Sequence, residues 1–208
     1  MAIQRFEDME NHEIDVFREI GSIGIGNAAT ALSQVLGVKV SMKLPRVSIE
    51  GYNEAVALIG DPEEIVAAVL VEMSGDVRGI MLYMLKLDFI NAILGRLMGK
   101  YIDDYSQIDE LSASALEETG NIIISSYVNA ITKLADIEVP LSVPSVAVNM
   151  LGGILSVPIS MFGEVTDKLM LIQGEFLIGD PQLKGELLLL PDIESLNFLM
   201  KKLGVAKS

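Results

Sequence analysis

Apolar residues recur three and four apart in two long stretches of this chain, about one hundred positions from each other. Between His12 and Leu36, Phe17, Gly21, Gly24, Ala28, Ala31 and Val35 form one stripe, and Asp15, Glu19, Ser22, Gly26, Thr30 and Ser33 form the opposite one. Gly37 is placed to close this helix in a left-handed cap. The second stretch starts at the capping-box-like Ser106-Gln-Ile-Asp109 and runs to about Ala135 or Asp136. Its apolar stripe is Leu116, Gly120, Ile123, Tyr127, Ala130 and Leu134. Ser114, Glu118, Asn121, Ser125 and Asn129 share the polar face. The spacing predicts two long surface helices, each turning one face to a core.

Strand-like segments follow the first helix at Val38–Leu44, Pro45–Ile49, Ala55–Ile59 and Ile65–Met73, with a turn at Asp61-Pro62. Ser74-Gly75-Asp76 reads as a hairpin turn into Val77–Leu85, and Leu87–Met98 as a shorter helix ending at Gly99. After the second long helix come strands at Glu138–Leu141 and Val146–Asn149 and an apolar, glycine-containing segment, Met150–Phe162. Lys168–Ile178 and Leu183–Leu190 pair across Gly179-Asp180-Pro181, and the last helix, Ile193–Leu203, is closed by Gly204.

The order long helix, strands, hairpin, short helix thus occurs twice. At an offset of 99, Glu19 maps to Glu118, Gly21 to Gly120, Ile23 to Ile122, Ile25 to Ile124, Ala31 to Ala130, Val40 to Val139, Pro45 to Pro144 and Val47 to Val146. Further on the offset is 106, taking Gly79 to Gly185, Asn91 to Asn197 and Leu97 to Leu203. The expectation is one α+β domain made of two repeats, about 12–99 and 106–204. It would be internally duplicated and pseudo-twofold, with an antiparallel sheet, two long surface helices and two shorter ones. The longer second repeat requires an insertion between Asn149 and Asp167.

The net charge of −14 argues against nucleic acid and anionic membrane surfaces, both of which need a basic face. No cysteine is present, so disulfides and thiolate chemistry are excluded. Met1–Asn11 lacks the apolar core of a signal peptide, and no apolar run reaches the roughly 20 residues of a membrane span. A cytoplasmic monomer without membrane insertion is expected, since duplication already supplies internal two-fold contacts.

Gly24-Ile-Gly26-Asn-Ala-Ala29 matches a dinucleotide fingerprint, but no strand precedes it. Close packing of another element on Gly21, Gly24, Gly26, Ala28 and Ala29 accounts for these small residues better. His12, the only histidine, reads as a surface residue, and Asp103-Asp104 and Glu117-Glu118 as solvated charges except where spacing says otherwise. No cluster of metal-ligating residues and no phosphate loop stands out, so no metal or cofactor of its own is expected.

What remains is Glu118 with Asn121, one helical turn apart, and its degenerate copy Glu19 with Ser22. As the polar face of an ordinary helix either stretch would be unremarked; the recurrence favours chemistry. A carboxamide both donates and accepts, so it can hold a water for in-line attack on phosphorus. A carboxylate one turn away can bind a cation on a partner and set the register. Such a pair suits a phosphoryl group already activated by its bearer's own Mg²⁺, as in an aspartyl phosphate.

This arrangement resembles the CheC family of chemotaxis phosphatases, related to CheX and to the flagellar switch protein FliY. The family pattern is Asp or Ser, three residues, Glu, two residues, Asn, then twenty-two residues and Pro. Ser114, Glu118, Asn121 and Pro144 match it completely; Asp15, Glu19 and Pro45 match it with Ser22 where Asn belongs. FREIGSIGIGNAATAL also resembles the family's first-helix signature. The resemblance implies that phosphorylated CheY is the substrate, that Asn121 orients the hydrolytic water and that Glu118 engages a lysine of CheY. It also implies CheD as a second partner, meeting the chain near the insertion after Pro144. A serine is a bond shorter and offers one donor instead of two, so the second site is expected to dominate. The alternative is a non-catalytic binding module, a switch-like scaffold or CheD-binding regulator, that holds CheY without hydrolysing it.

Overall fold

The computed structural model describes residues 9–162, 168–178 and 182–205. In it the chain runs α1 (Asn11–Leu36), β1 (Val40–Gly51), α2 (Tyr52–Ile59), β2 (Ile65–Met73), β3 (Gly79–Leu85) and α3 (Leu87–Met98). A 3-10 turn at Tyr105–Gln107 leads to α4 (Glu110–Ala135), β4 (Ser145–Met150), α5 (Leu151–Phe162), β5 (Lys168–Ile178), β6 (Gln182–Pro191) and α6 (Ile193–Lys202). The expected hairpin turn at Gly179-Asp180-Pro181 and the end of the expected insertion, residues 163–167, lie outside the described residues.

The strands form one six-stranded sheet in the order β1-β5-β6-β3-β2-β4, antiparallel at every described pairing. The fold class is α+β, as expected. Exchanging β1 with β4, β2 with β5 and β3 with β6 leaves that order unchanged when it is read from the other end. That is a property of the connectivity, not of descent.

Both faces of the sheet are covered. Met81, Tyr83, Leu85, Ile172, Leu187 and their neighbours pack with α1, α3, α4 and α6. The alternate residues Ile80, Leu82, Met84, Leu188 and Leu190 pack with α2 and α5 on the far side. Burial on both faces explains why β3 and the Leu187–Leu190 half of β6 read as unbroken apolar runs rather than as alternating strands.

Several expectations need correction. Ala55–Ile59 is not a strand: it lies in α2, whose Ala55, Val56 and Ile59 turn inward at helical spacing. The two strands expected at Val38–Leu44 and Pro45–Ile49 are one, β1, with a register shift between Lys43 and Arg46 that accommodates Pro45. Glu138–Leu141 is not a named strand: it bridges Met73 at Leu141, and its Pro140 and Glu138 carbonyls accept from the Ser74 and Asp76 amides of the turn after β2. Met150–Phe162 is mostly α5; Leu151, Ile154 and Leu155 are buried, and Val157 is exposed. The helices therefore number six, not four, among the described residues. Val35 and Leu134, placed on the buried stripes by spacing, are about half exposed in the last turns of α1 and α4.

The long helices start and stop by capping. Glu10 and Glu13 form a capping box at the start of α1. The α4 cap is Asp109, not Ser106, which lies in the 3-10 turn. Asp109 accepts from the Ser112 amide at 2.9 Å, and Lys100 Nζ stands 2.8 Å from both the Asp109 carboxylate and Ser112 Oγ. The hydrogen bonds from Lys100 and Ser112 hold the Asp109 carboxyl well below the usual carboxylate range.

Candidate functional site

α1 and α4 lie side by side on the sheet, and glycine is what permits the contact. A Cβ on Gly24 would stand 2.6 Å from Tyr127 Cα, so the two helix backbones meet there with no room for a side chain. Gly26, two residues on, faces open space, so the packing expected at the G-x-G pair belongs to Gly24 alone. The pair sits in the middle of α1, where no strand precedes it. Tyr127 is fully buried, and burial pushes its hydroxyl far above the ordinary phenol value.

Gly120 and Gly21 fix how each helix is rotated. A Cβ on Gly120 would stand 2.5 Å from Val69 Cγ2 of β2; one on Gly21 would meet Pro45 Cγ at 3.2 Å and Ile172 of β5 at 3.8 Å. Each residue turns an α-helix by about 100°. With Gly120 against the sheet, Glu118 therefore points nearly opposite, into solvent, and Asn121 stands on the flank. Glu118 is exposed and Asn121 half-buried, and the same holds for Glu19 and Ser22 about Gly21. Among the described residues, neither the Glu118 carboxylate nor the Asn121 carboxamide has a hydrogen-bond or ion-pair partner within the chain. Both are available to another molecule.

The supporting positions differ between the two helices. Ser114 is exposed one turn before Glu118. Its counterpart Asp15 is exposed too but is paired with Arg18. Pro45 is buried against Gly21, whereas Pro144 is half-buried in the segment that leads into β4. Glu117, the counterpart of Arg18, is not simply a solvated charge: its carboxylate accepts a hydrogen bond from the Val146 amide at 3.3 Å. β4 is an edge strand, and this bond ties it to the turn of α4 that carries Glu118. Sequence reasoning missed Glu117, because nothing local signals a bond across 29 positions. It also passed over Leu111, although Leu111, Ser114, Glu118 and Asn121 follow one another at 3-4-3 spacing. No group of three or more metal-ligating side chains occurs among the described residues, nor any helix long and apolar enough to cross a membrane.

The geometry is that of a probe rather than a pocket. Two complementary polar groups stand about one turn apart on a helix fixed at three points: its cap, its contact with α1 and its glycine seat on β2. They could complete a reaction centre whose electrophile and metal belong to another molecule.

Comparison with known proteins adds to this picture. The family model for the chemotaxis phosphatase CheX matches residues 67–157, and that for the CheC-like family matches residues 13–49. The chain is 29% identical over 205 residues to the CheY-P phosphatase CheC of Bacillus subtilis, covering 97% of this chain and 98% of that one. The crystal structure of Thermotoga maritima FliY superposes with a TM-score of 0.75 at 23% identity, over 96% of this chain and 100% of that one. FliM in its complex with SpeE from Helicobacter pylori gives 0.72 at 13% identity, over 95% and 98%.

Proposed function

The chain belongs to the CheC/CheX/FliY superfamily of chemotaxis proteins, and on that premise we propose that it is a phosphatase of the phosphorylated response regulator CheY, acting mainly through Glu118 and Asn121 of α4. The observation that carries this reading is the outward presentation of both side chains, unpartnered, on a helix locked to the sheet. The name of the Bacillus relative supplies the substrate class.

In this reading Glu118 binds a cation beside the regulator's active site and sets the register. Asn121 then enters, accepts a hydrogen bond from one water and orients its lone pair along the line of the scissile bond. Water attacks phosphorus, the phosphorus–oxygen bond to the aspartyl group breaks, and inorganic phosphate leaves with the aspartate regenerated. Mg²⁺ would be supplied by the regulator, and its charge would offset that of the phosphoryl group. Neither protein residue needs a metal or an unusual protonation state. Ser22 is too short to hold a water in the same place, so α1 contributes little.

Fold alone does not decide for catalysis, since FliM shares it. The second reading is a module that holds CheY without hydrolysing it. What favours it is the Ser22 substitution, together with a charge of −14 facing a phosphoprotein. A phosphate-release assay with phosphorylated CheY separates them. Wild type should accelerate release and Asn121→Ala should lose that acceleration. No acceleration by wild type would rule out the enzyme.

A further inference from the structure

The charge of the molecule poses a docking problem. A chain carrying −14 gains no long-range attraction toward a phosphorylated, acidic centre, so affinity has to come from short-range contact. The surface around Glu118 and Asn121 shows where. Leu111 is 67% exposed on the stripe of Ser114, Glu118 and Asn121, about two turns before Glu118. It borders a hollow of about 450 Å³ lined also by Asp109, Glu110 and Ser114. Val143 is 87% exposed beside Pro144, in the segment that the Glu117–Val146 bond holds against α4.

A single exposed leucine means little on any protein. Here one large apolar side chain shares the helix stripe of the unpartnered polar pair, and another stands three residues before Val146, which is tied to the turn of α4 that carries Glu118. On α1 the position equivalent to Leu111 is His12, whose exposed ring lies 3.6 Å from the Glu10 carboxylate. The apolar side chain at this position therefore belongs to the helix that also keeps the intact Glu-x-x-Asn pair.

We propose that Leu111 and Val143 are the apolar anchors by which the receiver domain of the phosphorylated regulator docks on α4, so that they set affinity while Asn121 sets turnover. This rests on the reading of Glu118 and Asn121 as the reactive pair. The occupant is the same regulator: a body whose active site receives Asn121 and buries about 800 Å² of this chain also covers helix surface about 15 Å to either side, which reaches Leu111 ten residues away. Burying one exposed leucine in such a contact is worth about tenfold or more in affinity.

The test uses Leu111→Ala and the double variant L111A/V143A of the full chain. Phosphate release from phosphorylated CheY should show KM raised about tenfold in Leu111→Ala and further in the double variant, with kcat within twofold in both. Thermal melting should be unchanged, since both side chains are already in water. Leu111→Met should restore the wild-type KM, and the KM penalty should persist at high salt. Calorimetric titration with beryllofluoride-activated CheY, a non-hydrolysable probe, reads docking by itself. There Leu111→Ala should bind about tenfold more weakly, L111A/V143A more weakly still, and Asn121→Ala close to normally. Unchanged KM and unchanged probe affinity in the double variant would overturn the proposal, as would a loss confined to kcat. So would a wild-type dimer in sedimentation that the double variant dissolves, because the patch would then be covered by a second copy. If wild type and Asn121→Ala bind the probe but neither hydrolyses CheY phosphate, the catalytic reading fails while the docking assignment stands.

Discussion

α1 and α4 are both 26 residues long, both seated on the sheet through a glycine, and both show a glutamate to solvent two residues before it. Scaffolding is what they share. They part at the positions a partner would touch: Ser22 against Asn121, His12 against Leu111, and Arg18, paired with Asp15, against Glu117, which is bonded to β4. The seat of a helix on a sheet is constrained by packing, where one methyl group is felt. The outward residues are constrained only by what they meet. Conserved seating with divergent outward chemistry is what one working site and one weaker or idle site would produce.

The largest expected effect lies in the pair proposed as reactive, Glu118 and Asn121. Asn121→Ala should lower the rate of CheY-phosphate hydrolysis about a hundredfold, as loss of a positioned water does. Ser22→Ala should change it less than twofold. Hydrolysis that survived the first change and vanished with the second would place the working site on α1.

A second contrast tests the shared scaffold. Gly24→Val would drive a side chain into the Tyr127 backbone, which cannot yield, and should cost about 3 kcal/mol by urea denaturation. Gly26→Ala, two residues away on the exposed side, meets nothing within 4 Å and should gain about 0.5–1 kcal/mol through helix propensity. Equal effects at the two positions would mean that α1 is rotated from the position described.

Glu117 distinguishes the helices by position rather than chemistry. Glu117→Ala removes one hydrogen bond, worth about 1 kcal/mol, and frees β4 beside the reactive turn. The Val146 amide should then exchange with solvent faster and hydrolysis should fall about tenfold at most. Glu117→Gln, which keeps an acceptor oxygen, should restore both. Unaltered Val146 exchange in Glu117→Ala would show that the bond holds nothing in place.

How far the chain could be read in advance follows from the same physics. α1, α3, α4 and α6 were legible because helical periodicity and end signals coincide: Gly37 and Gly99 sit in left-handed caps at φ 65° and 64°. α2 and α5 were not. α2 is only eight residues long, and its Ala55-Val56 pair looks like strand. α5 carries Gly152, Gly153 and an internal Pro158, which read as breaks although the burial of Leu151, Ile154 and Leu155 holds the helix. The Glu118/Asn121 pair was legible because spacing along one helix is local information. The Glu117–Val146 bond and the closing of α4 on Gly24 depend on distant contacts, which no window of sequence contains.

The smallest effect expected concerns how the two helices end. Gly37 closes α1 in the left-handed region, and the equivalent residue closing α4 is Asp136, at φ 52°. That conformation crowds a Cβ against the backbone, though aspartate tolerates it better than most residues. A carboxylate at a helix C-terminus also faces the negative end of the helix dipole. Asp136→Gly removes both penalties and should stabilise the protein by about 1 kcal/mol in urea denaturation. Asp136→Asn keeps the left-handed cost and removes the charge, so it should recover only part, a few tenths of a kcal/mol. Gly37→Ala should do the reverse on α1 and cost about 1 kcal/mol. Because Asp136 lies some four turns from Asn121, none of the three should alter hydrolysis. A change in kcat with Asp136→Gly would mean that the end of α4 takes part in placing the reactive pair, and that the glycine seat on β2 does not fix the helix alone.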